Sequence, residues 1–361
     1  MIRYKFSTQL DKEFSKTLIA RVNAYFSDNQ LGRNGNVQMV LKSIAALTLY
    51  LAPFIVVLTA GITSIPVLFG LWIVMGLGKA FIGTAVMHDA LHGSYSRKKW
   101  ANKLMSFSAF MVGANPAIWK LQHNVLHHTY TNIEDADEDI RPRFVLRFSP
   151  HQPRRWFHRY QFLYAPFFYS ISTLFWATAK DFDKLVDYRN RGLVQRGKEF
   201  NRQLFIVTVQ KVLYLAVFLG LPIAVLPIPV WIVVLMFVSM HMVTGLLLTI
   251  IFQLAHVVPS SEFLKLEEEH VDQSRLVHQL LTTSNFAMGN KVLTWFLGGL
   301  NFQVEHHLFP NICHVHYRKI AAIVQQTTRE FNLPYYAQKS FGSALRNHFA
   351  MLRLLGRQDA I

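Results

Sequence analysis

SIPVLFGLWIVMGLGKAFIGTAVMHDALH, residues 64–92, runs apolar for more than twenty positions and then ends on two histidines spaced four apart. About 20 apolar residues in a helix cross a bilayer core of about 30 Å, so the stretch near 64–86 is long enough to span. Lys79 is the only charge within it. The HDALH that follows places His88 and His92 on one helix face, just beyond the apolar run. A membrane span that hands over to paired imidazoles sets the reading of everything around it.

Three more stretches are long and apolar enough to span, near 41–60, 204–226 and 229–252. The short connections GITS and LPIP join the four into two hairpins. The intervening stretches 97–160 and 180–202 are rich in Lys and Arg, so the positive-inside rule puts the N-terminus, the middle region and the C-terminus on the cytoplasmic side. The expected fold is an all-α membrane protein: four transmembrane helices in two hairpins under a cytoplasmic helical cap, as one domain over 1–361. Within it, 37–317 forms the core. In 1–36, Phe6, Leu10, Phe14, Leu18, Val22 and Phe26 recur every fourth residue as one apolar helix stripe, packed on the cap or laid on the membrane surface. The patches 104–119 and 162–179 read as cap or interfacial helices, and 318–361 as cytoplasmic helices.

Composition agrees. Of 361 residues, 52% are hydrophobic and only 16% charged, against about 25% charged in a soluble domain. The formal net charge of +16 would suggest nucleic acid in a soluble protein, but here the basic residues flank spans, which explains them without such a partner. The single cysteine, Cys313, allows neither an internal disulfide nor a cysteine-based metal site.

Histidines gather in three places: HDALH at 88–92, HNVLHHTYTN at 123–132 and QVEHHLFP at 303–310. Each sits just on the cytoplasmic side of the hydrophobic region in the topology above. The i, i+4 spacing lets His88 and His92 face one centre, and His123 and His127 likewise. Adjacent residues diverge by about 100° on a helix, so His127 and His128, or His306 and His307, can serve two centres. Seven imidazoles are too many for one tetrahedral ion and suit two ions of higher coordination. A carrier or sensor of metal is a different class of reading, but it calls for polar residues along the spans, which are nearly free of them.

These three boxes, in this order, resemble those of the membrane fatty acid desaturases, and the resemblance covers about Asn36 to Tyr317. Gln303, where related stearoyl-type enzymes carry histidine, resembles the front-end branch. The resemblance implies a metal site of His88, His92, His123, His127, His128, His306 and His307, with His256 of FQLAHVV as a further ligand and Gln303 as a weak or outer one. It implies two iron ions, because imidazole alone does not choose the metal and zinc cannot oxidise an unactivated C–H bond. Dioxygen is then the co-substrate. Asp89, Asp139 and Glu305 are placed to accept the free N–H of ligating imidazoles, while the rest of EDADED, 134–139, reads as a solvated loop. His241, mid-span, reads as hydrogen-bonded and structural.

The substrate implied is a fatty acyl chain, as acyl-CoA or phospholipid, in a tunnel drawn from Trp119, Tyr130 and the aromatics of 156–176. Arg141, Arg143, Arg147, Arg154 and Arg155 are candidates to meet a phosphate-bearing headgroup. The His-Pro-Gly-Gly motif of fused haem domains is absent from the sequence, so the electrons are expected from a separate ferredoxin or cytochrome b-type donor, and the location expected is a bacterial inner membrane. A lipid or alkane hydroxylase on the same scaffold is the alternative.

Overall fold

The computed structural model describes residues 4–141, 144–266 and 270–359. Ten helices organise it: α1 (Lys12–Asp28), α2 (Val37–Thr59), α3 (Ile65–His92), α4 (Gln161–Phe175), α5 (Lys198–Val225), α6 (Val230–His256), α7 (Arg275–Thr282), α8 (Gln303–Leu308), α9 (Tyr317–Glu330) and α10 (Phe341–Leu355). Among the described residues, α2, α3, α5 and α6 are the four helices long and apolar enough to cross a membrane. Their outer faces carry large apolar side chains, such as Val40, Ile44, Phe205, Val212, Val234 and Leu235, which suit contact with lipid.

α2 begins where the Asn36 side chain accepts from the Gln38 N–H, a helix cap. It packs along α3, and α3 along α6. The first contact depends on Gly78, whose missing Cβ would sit 2.6 Å from the backbone of Leu49 and Tyr50. Inside the bundle, Lys79 donates to the Tyr214 hydroxyl at 2.5 Å, and His241 lies 3.0 Å from that hydroxyl and 3.2 Å from Thr173 Oγ1. His241 is thus hydrogen-bonded among neighbours, in a knot that joins α3, α4, α5 and α6.

The stretch 162–179 departs from the cap or interfacial helix expected of it. As α4, it lies lengthwise against α6, with Thr173 donating to the His241 carbonyl at 2.9 Å and Ser172 Oγ 2.9 Å from Thr249 Oγ1. Gly245 allows this approach, since a Cβ there would sit 2.3 Å from the Ser170 carbonyl oxygen. Small polar residues, which lower the hydropathy of α4, are the ones that bind it to the span. Of the N-terminal stripe, Phe14, Leu18, Val22 and Phe26 lie on α1 and are buried against α9 and its neighbours, whereas Leu10 is exposed ahead of the helix and Phe6 belongs to a short strand, Lys5–Phe6. Two short parallel pairings, Lys5–Phe6 with His270–Val271 and Ser284–Phe286 with Tyr336–Gln338, tie the connecting segments together.

Arg147 is fully buried and is not available to a headgroup. Its guanidinium donates to the carbonyls of Pro150 (2.5 Å), Gln152 (2.7 Å), Gln358 (2.7 Å) and Leu355. It thereby caps the open end of α10. Arg154 pairs with Asp359, and Arg155 lies over the Phe144 ring. Arg143 lies outside the described residues. Arg147→Met would leave several buried carbonyls without donors, at about 1–3 kcal/mol each. Thermal unfolding in detergent should show a loss of at least about 3 kcal/mol, and Arg147→Lys should recover only part of it.

Candidate metal centre

The first histidine box closes a long helix. α3 loosens into a π-helix over Ile82–Met87, just before His88 and His92. The second box is itself a π-helix, Lys120–His127, and π segments recur at functional sites because they re-aim side chains. In this wider turn, residues five apart share a face. His123 Nε2 accordingly lies 3.3 Å from His128 Nε2, where α-helical spacing would pair His123 with His127. His256 ends α6, and His306 and His307 come from α8.

The imidazoles from these four places meet. Nitrogens of His88, His92, His123 and His306 lie within 4.8 Å of one another, as do those of His127, His256 and His307, and those of His128, His306 and His307. His88 Nε2 is 3.2 Å from His306 Nε2. Two nitrogens each ~2.1 Å from one ion would stand roughly 3 Å apart, so these spacings suit neighbouring ligands. The adjacent pairs His127–His128 and His306–His307 connect the groups, in line with the divergence expected of neighbours on a helix.

Outward nitrogens fix the proton positions. His127 Nδ1 lies 3.0 Å from both oxygens of Asp137. His256 Nδ1 lies 3.3 Å from the Thr282 carbonyl, and His307 Nδ1 is 2.7 Å from Gln279 Oε1. All three partners are acceptors, so each Nδ1 carries the proton and each Nε2 turns a bare lone pair inward. Those three Nε2 atoms, with His92 Nε2 and His128 Nδ1, are buried without a hydrogen-bond partner. Buried polar atoms are ordinarily satisfied, and the unsatisfied Nε2 atoms of His127, His256 and His307, whose rings group together, fit a metal-binding donor set.

Electrostatics points the same way. Burial pushes His123 down to about 3 and also lowers His128, His306 and His307, which keeps these rings neutral as ligands must be. Burial acts on His127 too, but the Asp137 carboxylate outweighs it and raises the ring's basicity.

Among the expected outer partners, Asp89 bridges His88 Nδ1 (3.3 Å) and His314 Nδ1 (2.8 Å), and Asp139 meets His123 Nδ1 at 3.3 Å. Glu305 does otherwise: its carboxylate accepts from Asn285 and from the Tyr335 hydroxyl, both at 2.8 Å, and burial raises it to about 7. Its place beside His306 goes to the Tyr317 hydroxyl, 3.1 Å from Nδ1. On a helix, Glu305 points a full 100° away from His306, which the two-residue motif conceals. Asp137, Gln279 and Tyr317 escaped the sequence reading. Asp137 and Glu138 are buried, so EDADED is only in part a solvated loop: Glu138 is held by Lys184 and Arg191. An acidic residue ten positions after a box histidine was the available signal.

A cavity of about 550 Å³ opens beside the cluster. His88, His123, His306 and Gln303 line one side, and Trp119, Phe168, Phe175, Trp176, Leu248 and Phe252 make the apolar walls. Gln303 therefore faces the cavity. The Trp119 ring lies 4.4 Å from that of His123, tilted by 33°, and lines the cavity, whereas Tyr130 packs with Tyr4 and Phe6 elsewhere. Lys180, Lys184, Asp183, Glu138 and Arg141 supply the charged part of the cavity lining.

A family model described as Fatty acid desaturase matches residues 62–339. The chain is 35% identical to the sn-1 linoleoyl-lipid 6-desaturase of Arthrospira platensis over 94% of its own length and 92% of that protein. It is 33% identical to the sn-1 linoleoyl-lipid 6-desaturase of Synechocystis sp., covering 98% of both chains. It is 34% identical to the acyl-lipid (8-3)-desaturase of Physcomitrium patens, over 96% of this chain and 72% of that one.

Proposed function

The chain belongs to the fatty acid desaturase family, and from that premise we propose that it inserts a cis double bond between an existing one and the carboxyl end of a lipid-bound acyl chain. The observation that carries this reading is the pairing of inward-facing imidazoles with an apolar cavity at their side. The conversion takes a –CH2–CH2– pair, dioxygen, two electrons and two protons to –CH=CH– and two waters.

His88, His92, His123 and His306 would hold one iron, and His127, His256 and His307 the other, with His128 grouped with His306 and His307 between them. When bound, the iron pair supplies the oxidising power that an unactivated C–H bond requires. The remaining work belongs to the protein. Asp137, Thr282 and Gln279 orient three rings, and Asp89, Asp139 and Tyr317 orient three more. Trp119, Phe252 and Leu248 exclude water and hold one carbon pair of the chain beside the histidines. Gln303 lines that cavity as an outer contact or weak ligand.

The four spans form two hairpins in a bacterial inner membrane, with both termini and the histidine side cytoplasmic. The near full-length likeness to the two cyanobacterial relatives and the basic residues flanking the spans support this. Electrons come from a separate ferredoxin or cytochrome b-type carrier, which the net charge of +16 would attract if acidic.

Expression in a host without polyunsaturated lipids, with unsaturated fatty acids fed, tests the reading. Mass spectrometry should locate a new double bond on the carboxyl side of the existing one. An alcohol at that position would favour the hydroxylase instead, and iron-loaded protein with reductant and no product would overturn both.

A further inference from the structure

A front-end reaction that counts carbons from the carboxyl end needs a group in the cavity that holds the acyl carbonyl at a fixed distance from the histidines. Lys180 is the cavity residue suited to that task. It lines the same cavity as His88, His123 and His306, and its ammonium lies 4.8 Å above the Trp176 ring. Trp176 is pinned in turn: its indole N–H donates to Asp181 Oδ1 at 3.1 Å. Lys180 is within electrostatic reach of Asp139, the carboxylate that orients His123.

Each carboxylate near Lys180 has other work. Asp181 accepts from Lys211 at 2.5 Å and from the Asn115 N–H at 2.9 Å. Asp139 takes Gln122 and His123. Glu138 takes Lys184 and Arg191, with Arg141 at 3.6 Å. Among the described residues, no carboxylate lies within ion-pair distance of Lys180. The other cations of the cavity, Lys184 and Arg141, are paired with Glu138, and Lys180 keeps its donors.

We propose that Lys180 is a specificity-determining residue that donates a hydrogen bond to the carbonyl oxygen of the ester-linked acyl chain and so sets which carbon pair is oxidised. The claim rests on the desaturase reading above. The carbonyl is favoured over a headgroup phosphate because it is the polar group nearest the reacting carbons of a front-end substrate, and Lys180 is the cavity cation in electrostatic reach of Asp139, the partner of His123.

The test compares wild type, Lys180→Met and Lys180→Arg as full-length protein in membranes, on a dienoyl ester lipid and on its ether counterpart, which lacks only the carbonyl oxygen. Double-bond position, kcat/KM and iron content are read. In Lys180→Met the double bond should spread to neighbouring carbon pairs and kcat/KM should fall roughly tenfold or more, with iron content as in wild type. Lys180→Arg should keep the wild-type position. The ether lipid should give the wild type the same spread, and Lys180→Met should add nothing to it.

Unchanged position and rate in Lys180→Met overturn the proposal, as does loss of its iron, which would mean that Lys180 acts through Asp139. Should Lys180→Met fail to accumulate, the ether lipid on wild type decides: faithful placement overturns the idea and a spread sustains it. A wild type that forms no double bond on the ester overturns the desaturase reading and this inference with it.

Discussion

His256→Ala protein should carry close to half the iron of the wild type and make no product. His256 is fully buried at the end of α6, and its inward Nε2 is one of three that meet between α6, α8 and the second box. Alanine leaves His127 and His307 alone there, too few to hold an ion against water. The group of His88, His92, His123 and His306 does not include the substituted ring, so its ion should remain. The loss of turnover should exceed the roughly 10–100-fold that removing an outer partner costs. Iron analysis and product detection on protein that elutes as wild type would check it. Two irons per chain in the variant would break the division into two groups.

The spans could be read directly, because hydropathy over twenty residues is a sum to which no single contact matters. The expected 229–252 and the observed Val230–His256 differ by four residues at one end, and 204–226 begins six residues earlier as Lys198–Val225. Those differences arise because a helix does not stop where its membrane segment stops: α3 runs on through HDALH. The meeting of the boxes was legible too, since no packing need places so many imidazoles at span ends. Their pairing was not. Spacing rules assume 3.6 residues per turn, and the second box is wound wider, so His123 comes beside His128.

Charged residues were the least legible. Lys79 reads as an interruption of a span, yet it is buried and joined to Tyr214 and His241. Arg147 reads as a headgroup contact and is a cap for α10. In both cases the partner is more than a hundred residues away, and local polarity predicts the opposite burial.

Asp137 presents the same difficulty, and Asp137→Asn should cut metal affinity and turnover by roughly 10–100-fold. Both of its oxygens face His127 Nδ1, and they also accept from the Asn132 N–H and the Asp139 N–H at 2.9 Å each. An amide offers one acceptor oxygen where the carboxylate offers two. Its NH2 would point at a donor, either the imidazole N–H or the backbone. If the imidazole gives way, the proton moves to Nε2 and the lone pair turns from the metal group to the loop. If the backbone gives way, the loop shifts and His127 loses its orientation. Either outcome weakens one ion without deleting a ligand, so extra iron in the assay should partly restore activity, which it should not do for His256→Ala. Asp135→Asn, on the exposed part of the same acidic run, should leave iron content and rate unchanged. Equal losses in the two asparagine variants would mean that the charge of the run, and not the contact with His127, is what the centre needs.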